Sequence, residues 1–244
     1  MYTTIMKTAL ITGGAARIGA QIVKTLHDNN FKIVIHCNQS LEKAKLLSDN
    51  LNSIRKDTVK VISGDLNNID DISTIVESIE SLDLLVNNAS VFYPKSVENS
   101  DINDWDNVLN VNLRAPFFLS KGLSNKLSNN YGSIINIIDI HSDRPLKNHA
   151  VYNISKAGLK MLTQTLAQEL APRVRVNGIS PGFILSPESS VKISDIEKKL
   201  MLERIALKRQ GSPQDVADTV LFLANSDYIT GQIINVDGGR TLNQ

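Results

Sequence analysis

Short apolar runs rich in Val, Ile and Leu alternate with longer stretches of helical periodicity along the whole chain. Thr8–Thr12, Lys32–Ile35, Val59–Ser63, Leu82–Val86, Gly132–Ile138, Arg175–Ile179 and Ile233–Val236 have the length and β-branched content of strands. Most lack a clean in/out alternation, which predicts strands covered on both faces. Gly19–Asn29, Glu42–Ile54, Ile69–Ser81, Ile102–Leu127, Val151–Leu170 and Pro213–Ala224 carry the spacing of helices between them. The order predicts an α/β fold, a doubly wound parallel sheet with helices on both faces. No linker rich in Pro, Gly or Ser divides the chain, so residues 1–244 are expected to form a single domain.

In such sheets ligands bind outside the carboxyl ends of the strands. Gly13, His36, Asp65, Asn87, Asp139 and Pro181 follow successive predicted strands and are the first candidates. Thr12-Gly13-Gly14-Ala15-Ala16-Arg17-Ile18-Gly19 joins the first strand to the first helix. Glycines there let the backbone approach a pyrophosphate, and the helix beyond offers free N–H groups and a positive dipole end. Arg17 is a cation where that dipole disfavours one, which points to a bound anion.

After the second strand the run His36-Cys37-Asn38-Gln39-Ser40 contains no carboxylate before Glu42. An acid here would bond the ribose hydroxyls of NAD and repel a 2′-phosphate. Its absence favours NADPH, with Arg17, Asn38 and Ser40 as phosphate partners.

Tyr152 and Lys156 lie four residues apart on a predicted helix and so share one side of it. A phenol titrates near 10 and is a poor acid or base at neutral pH. A neighbouring ammonium is expected to bring that value down towards working pH. Asp139 stands thirteen residues before Tyr152 at the end of an apolar strand, where a carboxylate is costly unless paired or protonated. It is either part of the reacting group or a turn cap, with Ser142 then supplying a hydroxyl.

The remaining composition excludes more than it adds. Net charge is +1 and apolar residues make up 42%, which gives no reason to expect nucleic acid or a membrane as partner. No signal peptide or membrane-length apolar run is recognisable, and Cys37 is the only cysteine, so a cytoplasmic location is expected. His27, His36, His141 and His149 are scattered without metal-site spacing, so no metal is expected.

Taken together, the glycine loop, Asn87-Asn88-Ala89-Ser90, Asn110-Val111-Asn112, Tyr152 with Lys156, Ser180-Pro181-Gly182 and Val236-Asp237-Gly238-Gly239 resemble the short-chain dehydrogenase/reductase family over nearly the full length. Three departures from its usual pattern, Arg17, Ser90 and Asp139, together with Phe92, resemble its pteridine reductase subgroup. One difference from that subgroup is Gln39, where an arginine is common.

The resemblance implies a Rossmann-type fold and a homotetramer with the two long helices at the interface. It implies cofactor contacts from Gly13, Arg17, Ile18, Gly19, His36, Asn38, Ser40, Asp65, Leu66, Asn88, Ala89, Tyr152, Lys156, Pro181, Gly182 and Ile184. Asp65 on spacing alone is equally a helix cap. Asp139, Tyr152 and Lys156 would act on a pterin or folate C=N bond with hydride from NADPH, with Asn112 continuing the proton path through water. Phe92 would stack on the pterin, or else belong to the core, and Ser90 and Arg17 would meet the pterin edge. Residues 183–208, with Ser186-Pro187-Glu188 as a candidate contact, would form a substrate lid. The rival readings are a 3-oxoacyl carrier-protein reductase or other carbonyl reductase and, outside enzymes, an NADPH-binding sensor.

Overall fold

The computed structural model of the chain describes residues 6–184 and 194–243. Seven strands form one parallel sheet: β1 (Thr8–Ile11), β2 (Lys32–Cys37), β3 (Val59–Ser63), β4 (Leu84–Asn87), β5 (Ser133–Ile137), β6 (Arg175–Pro181) and β7 (Ile233–Val236). Their order across the sheet is β3-β2-β1-β4-β5-β6-β7. The chain winds outward from β1 to β3, then returns to place β4 on the other side of β1. That reversal opens a crevice at the carboxyl ends of β1 and β4, where such sheets bind ligands.

The lack of alternation in the strands has the expected cause, since both faces are covered. On one side α1 (Arg17–Asp28), α2 (Leu41–Ile54) and a late helix, α8 (Pro213–Asn225), bury Ile22, Val23, Leu47 and Val220 against Ala9, Ile11, Ile33 and Ile35. On the other, α3 (Ile69–Ser78), α5 (Ala115–Asn129) and α6 (Ala150–Glu169) bury Ile75, Leu119, Leu123 and Leu159 against Leu10, Leu85 and Ile134. Between α6 and α8 the structure contains α7 (Asp195–Glu203), inside the expected lid. Ser186-Pro187-Glu188 lie outside the described residues. No described helix is long and apolar enough to cross a membrane.

One predicted helix divides. The stretch expected to run from Ile102 to Leu127 is α4 (Ile102–Leu109), a π turn at Asn110–Arg114, and then α5. Pro116 sits in the first turn of α5 and has no N–H for the carbonyl four residues back, that of Asn112. The ladder therefore shifts register here, as π turns do at functional sites.

A buried polar chain fixes α6 to the sheet. Asn87 donates to Asn136 Oδ1 at 2.8 Å, and Asn136 donates to Thr163 Oγ1 at 2.8 Å. Thr163 in turn donates to the Leu159 carbonyl at 2.8 Å. All three side chains are buried, so removing the middle one strands two polar partners. We predict that Asn136→Leu lowers the unfolding free energy by about 2 kcal/mol or more, as read from denaturant midpoints. A midpoint equal to the parent's would contradict this role.

Candidate active site

The loop after β1 is shaped by what surrounds it. Gly13 has φ +62°, and Gly19, the third residue of α1, lies so close to the loop that a Cβ there would stand 2.7 Å from Asn88 Nδ2. Only glycine allows the helix to start this close to the strand end. Ala16 caps α1 without a side-chain bond, and the first turn has no acidic residue. The leading N–H groups and the dipole are therefore available to an anion. Arg17 is exposed, takes a left-handed φ of 51°, and has no side-chain partner among the described residues. Asn38 and Ser40 are exposed nearby in chain order, and Ser40 makes no capping bond with α2. These groups fit a phosphorylated dinucleotide. Ile18 is half-buried beside them.

Several candidates serve this loop from behind instead of facing a ligand. His36 is buried; its Nδ1 accepts from Gly13 N–H at 3.4 Å and its Nε2 donates to the Gly64 carbonyl at 3.1 Å. Burial holds the ring below its ordinary pKa, in the neutral form this tautomer requires. With both nitrogens engaged in holding the loop, any contact His36 makes with a cofactor is left to its main chain or ring carbons.

The Asn88 side chain is likewise committed, donating to the carbonyls of Thr12 at 2.9 Å and Gly13 at 3.2 Å. The backbone N–H groups of Asn88 and Ala89 both donate to Thr12 Oγ1. Asp65 accepts from Asn67 N–H at 2.9 Å within a turn and does not cap a helix, since α3 is capped by Asn68; Leu66 beside it is buried. At the far side of the crevice Pro181 is buried, and Gly182 donates to Val236 while abutting Asp237. Half-buried Ile184 bridges to Gly211.

The candidate reacting groups converge at the end of β5. Tyr152, buried on α6, donates to Asp139 Oδ2 at 2.7 Å. The other oxygen of Asp139 accepts from His141 N–H at 2.8 Å and caps a single turn of 3-10 helix, Ile140–Ser142. Capping and contact with the phenol are thus two jobs of one carboxylate. The hydroxyl that the phenol meets is not that of Ser142, whose Oγ is buried without a protein partner. Lys156, one turn along α6, is 2% exposed; its Nζ donates to the Ile137 carbonyl at 3.0 Å and lies 5.7 Å from the centre of the Tyr152 ring.

These contacts reverse one expectation. Burial and the neighbouring Asp139 carboxylate hold the Tyr152 phenol well above its ordinary pKa. The ammonium is directed at a carbonyl and over the ring, not at the hydroxyl, so it does not offset them. Tyr152 is a protonated donor throughout the neutral range. Burial also lowers Lys156 to a pKa of about 8, partly opposed by Asp139.

Asn112, at the π turn, is fully buried; its amide donates to Val91 O at 3.0 Å and Ser155 Oγ at 3.1 Å, and accepts from Val91 N–H at 2.7 Å. It clamps the turn after β4 to α6. With both amide hydrogens committed, its side chain has no donor left for a relay.

Phe92 is 55% exposed and meets Tyr152 edge-on at 4.8 Å, so it belongs to the site wall and not to the core. Ser90 is exposed two residues earlier. One neighbour, Ser155, which bonds Asn112 and the Tyr152 carbonyl, was not singled out from the sequence, and His149, weighed there only as a metal ligand, stacks on Phe92. Only their closeness to Tyr152 in the chain could have suggested them. Among the described residues no group of His, Cys, Asp or Glu could hold a metal ion.

Comparison with known proteins gives this constellation a family. A family model described as enoyl-(acyl carrier protein) reductase matches residues 13–241. The 3-oxoacyl-(acyl-carrier-protein) reductase FabG of Rickettsia bellii (strain RML369-C) is 37% identical over 240 residues, 97% of each chain. Among solved structures, the FolM alternative dihydrofolate reductase 1 from Brucella canis, complexed with NADP, has a TM-score of 0.87 at 33% identity, covering 98% of this chain and 95% of that one. A blue fluorescent protein from a metagenomic library, in complex with NADPH, has a TM-score of 0.89 at 28% identity, covering 96% and 97%. With the glycine loop, the Tyr152–Lys156 pair and the seven-stranded sheet in place, the chain belongs to the short-chain dehydrogenase/reductase family.

Proposed function

We propose that this protein is an NADPH-dependent pteridine reductase, which reduces the C=N bond of a 7,8-dihydropterin or dihydrofolate to the tetrahydro form. The observation that carries the reading is the 2.7 Å bond between the Tyr152 hydroxyl and the Asp139 carboxylate. A carbonyl reductase needs only a neutral donor to polarise C=O. Reduction of a C=N bond needs a proton delivered to nitrogen, and here a phenol kept protonated shares its proton with a carboxylate that can return it.

The cofactor would lie along the loop 13–19, its 2′-phosphate beside Asn38 and Ser40 and its nicotinamide ribose held by Lys156. When bound it supplies the hydride, which goes to C6. Tyr152 would give its proton to N5, and Asp139, half-buried, would relay a replacement proton to it from solvent. Phe92 offers an exposed ring face to a flat substrate, and Ser90 and Arg17, both exposed, would meet its polar edge. The described part of the expected lid, residues 194–208 with α7, would lie over the substrate. Exposed Phe117 on α5 and Ile154 and Met161 on α6 support a homotetramer joined through these helices.

The second reading is a 3-oxoacyl carrier-protein reductase. It rests on the FabG relatives, among them the one at 37% identity over nearly the whole chain. The NADP complex with the dihydrofolate reductase of Brucella canis supports the first. The two readings part at Asp139. We predict that Asp139→Ser lowers pterin kcat by at least about a hundredfold while NADPH affinity stays within about twofold. Undiminished pterin turnover in this variant would refute the role given to the carboxylate.

Lys156 makes a pH prediction. Its folded pKa is depressed to about 8, so the charged form costs stability below that pH and the cost is relieved as pH rises towards 10.5. The same loss of charge removes a cofactor contact. The NADPH dissociation constant, followed by fluorescence titration, should rise above about pH 8, by up to about tenfold per pH unit. A profile flat to pH 10 would contradict it.

A further inference from the structure

Phe92 is an unusual wall for a binding site, because an exposed phenylalanine ring is free to change rotamer unless its neighbours prevent it. Two rings do so. Tyr152 meets Phe92 edge-on at 4.8 Å with an interplanar angle of 78°, and His149 lies parallel to it at 4.7 Å and 18°. The Tyr152 and His149 centroids are 6.4 Å apart, so seen from Phe92 they stand at about a right angle. Tyr152 therefore lies off the edge of the phenylalanine ring, and His149 covers one face. No ring among the described residues stacks on the opposite face.

His149 is itself held at both ends. It stands at the start of α6, where its carbonyl accepts from Asn153 N–H at 2.9 Å, and the carbonyl of Asn148 before it accepts from Lys95 N–H at 2.6 Å. Its Nδ1 stands 2.9 Å from the Lys147 carbonyl, which can only accept, so Nδ1 carries the proton and the ring plane is fixed. Beneath it, Lys95 and Tyr93 both bond the Asp104 carboxylate and tie the 91–96 loop to α4.

We propose that His149 is a positioning residue, which backs Phe92 so that the opposite face of that ring becomes a fixed wall for a planar heteroaromatic substrate. This rests on the pteridine reductase reading. A flat ring gains from such a wall across its whole face, whereas a flexible acyl chain gains little. His149 thus favours the first substrate class over the second.

The test is steady-state kinetics of the parent, His149→Asn and His149→Phe with NADPH and a dihydropterin, with an acetoacetyl thioester beside it. Asparagine keeps a good helix cap and removes the ring; phenylalanine keeps a ring. The expected result is a rise of about threefold to tenfold in the dihydropterin KM for His149→Asn, with little change in kcat. His149→Phe should restore the KM, and the thioester KM should stay unchanged wherever that substrate is turned over. An unchanged dihydropterin KM in His149→Asn, an equal rise for the thioester, or a failure of His149→Phe to restore it would overturn the proposal. If the parent protein reduces the thioester and no pterin, the substrate reading has failed, and the proposal falls with it. If the parent reduces the pterin, the variants judge His149 alone.

Discussion

The Tyr152 hydroxyl bonds the Asp139 carboxylate with the Lys156 ammonium beside the phenol ring; Tyr152 and Lys156 are buried and Asp139 half-buried, and that closure governs the rest of the site. A charge taken out of water has to find a partner or lose its proton. Lys156 finds the Ile137 carbonyl, and burial still lowers its pKa. The phenol finds Asp139 and stays protonated. Asp139 spends its second oxygen on the turn that follows β5, so the loop leading to α6 hangs from the same carboxylate that meets the reacting hydroxyl. Such an arrangement needs a rigid α6. The Asn87–Asn136–Thr163 chain and the Asn112–Ser155 clamp provide it from two directions.

Much of this was legible in the sequence. Seven strand segments were expected, and seven pair in one parallel sheet. Apolar runs bounded by turns identify doubly covered strands well, because burial on both faces dictates composition directly. The glycine loop and the Tyr152–Lys156 pair could be placed by spacing, since backbone conformation and helix periodicity constrain them tightly.

What could not be read was the direction in which polar side chains turn. His36 and Asn88 stand where a cofactor contact is expected, yet each is spent on holding the loop. The π turn was invisible because the apolar spacing of α4 continues almost in phase into α5. Only Pro116 hints at the break. The sign of the Tyr152 shift depends on whether the hydroxyl lies nearer a cation or an anion, which spacing along a helix does not determine.

The relatives divide between two chemistries on one fold, as a family does when it keeps its cofactor site and changes a few residues at the substrate. Identity over the whole chain weighs every position equally; on the reading proposed above, Arg17, Ser90, Phe92 and Asp139 would decide the reaction. The most direct measurement is NADPH oxidation by the purified protein with dihydrobiopterin, dihydromonapterin and dihydrofolate, against acetoacetyl thioester. Turnover with a pterin or folate and none with the thioester is the predicted result. Turnover with the thioester alone would contradict the account and place this protein with the 3-oxoacyl reductases.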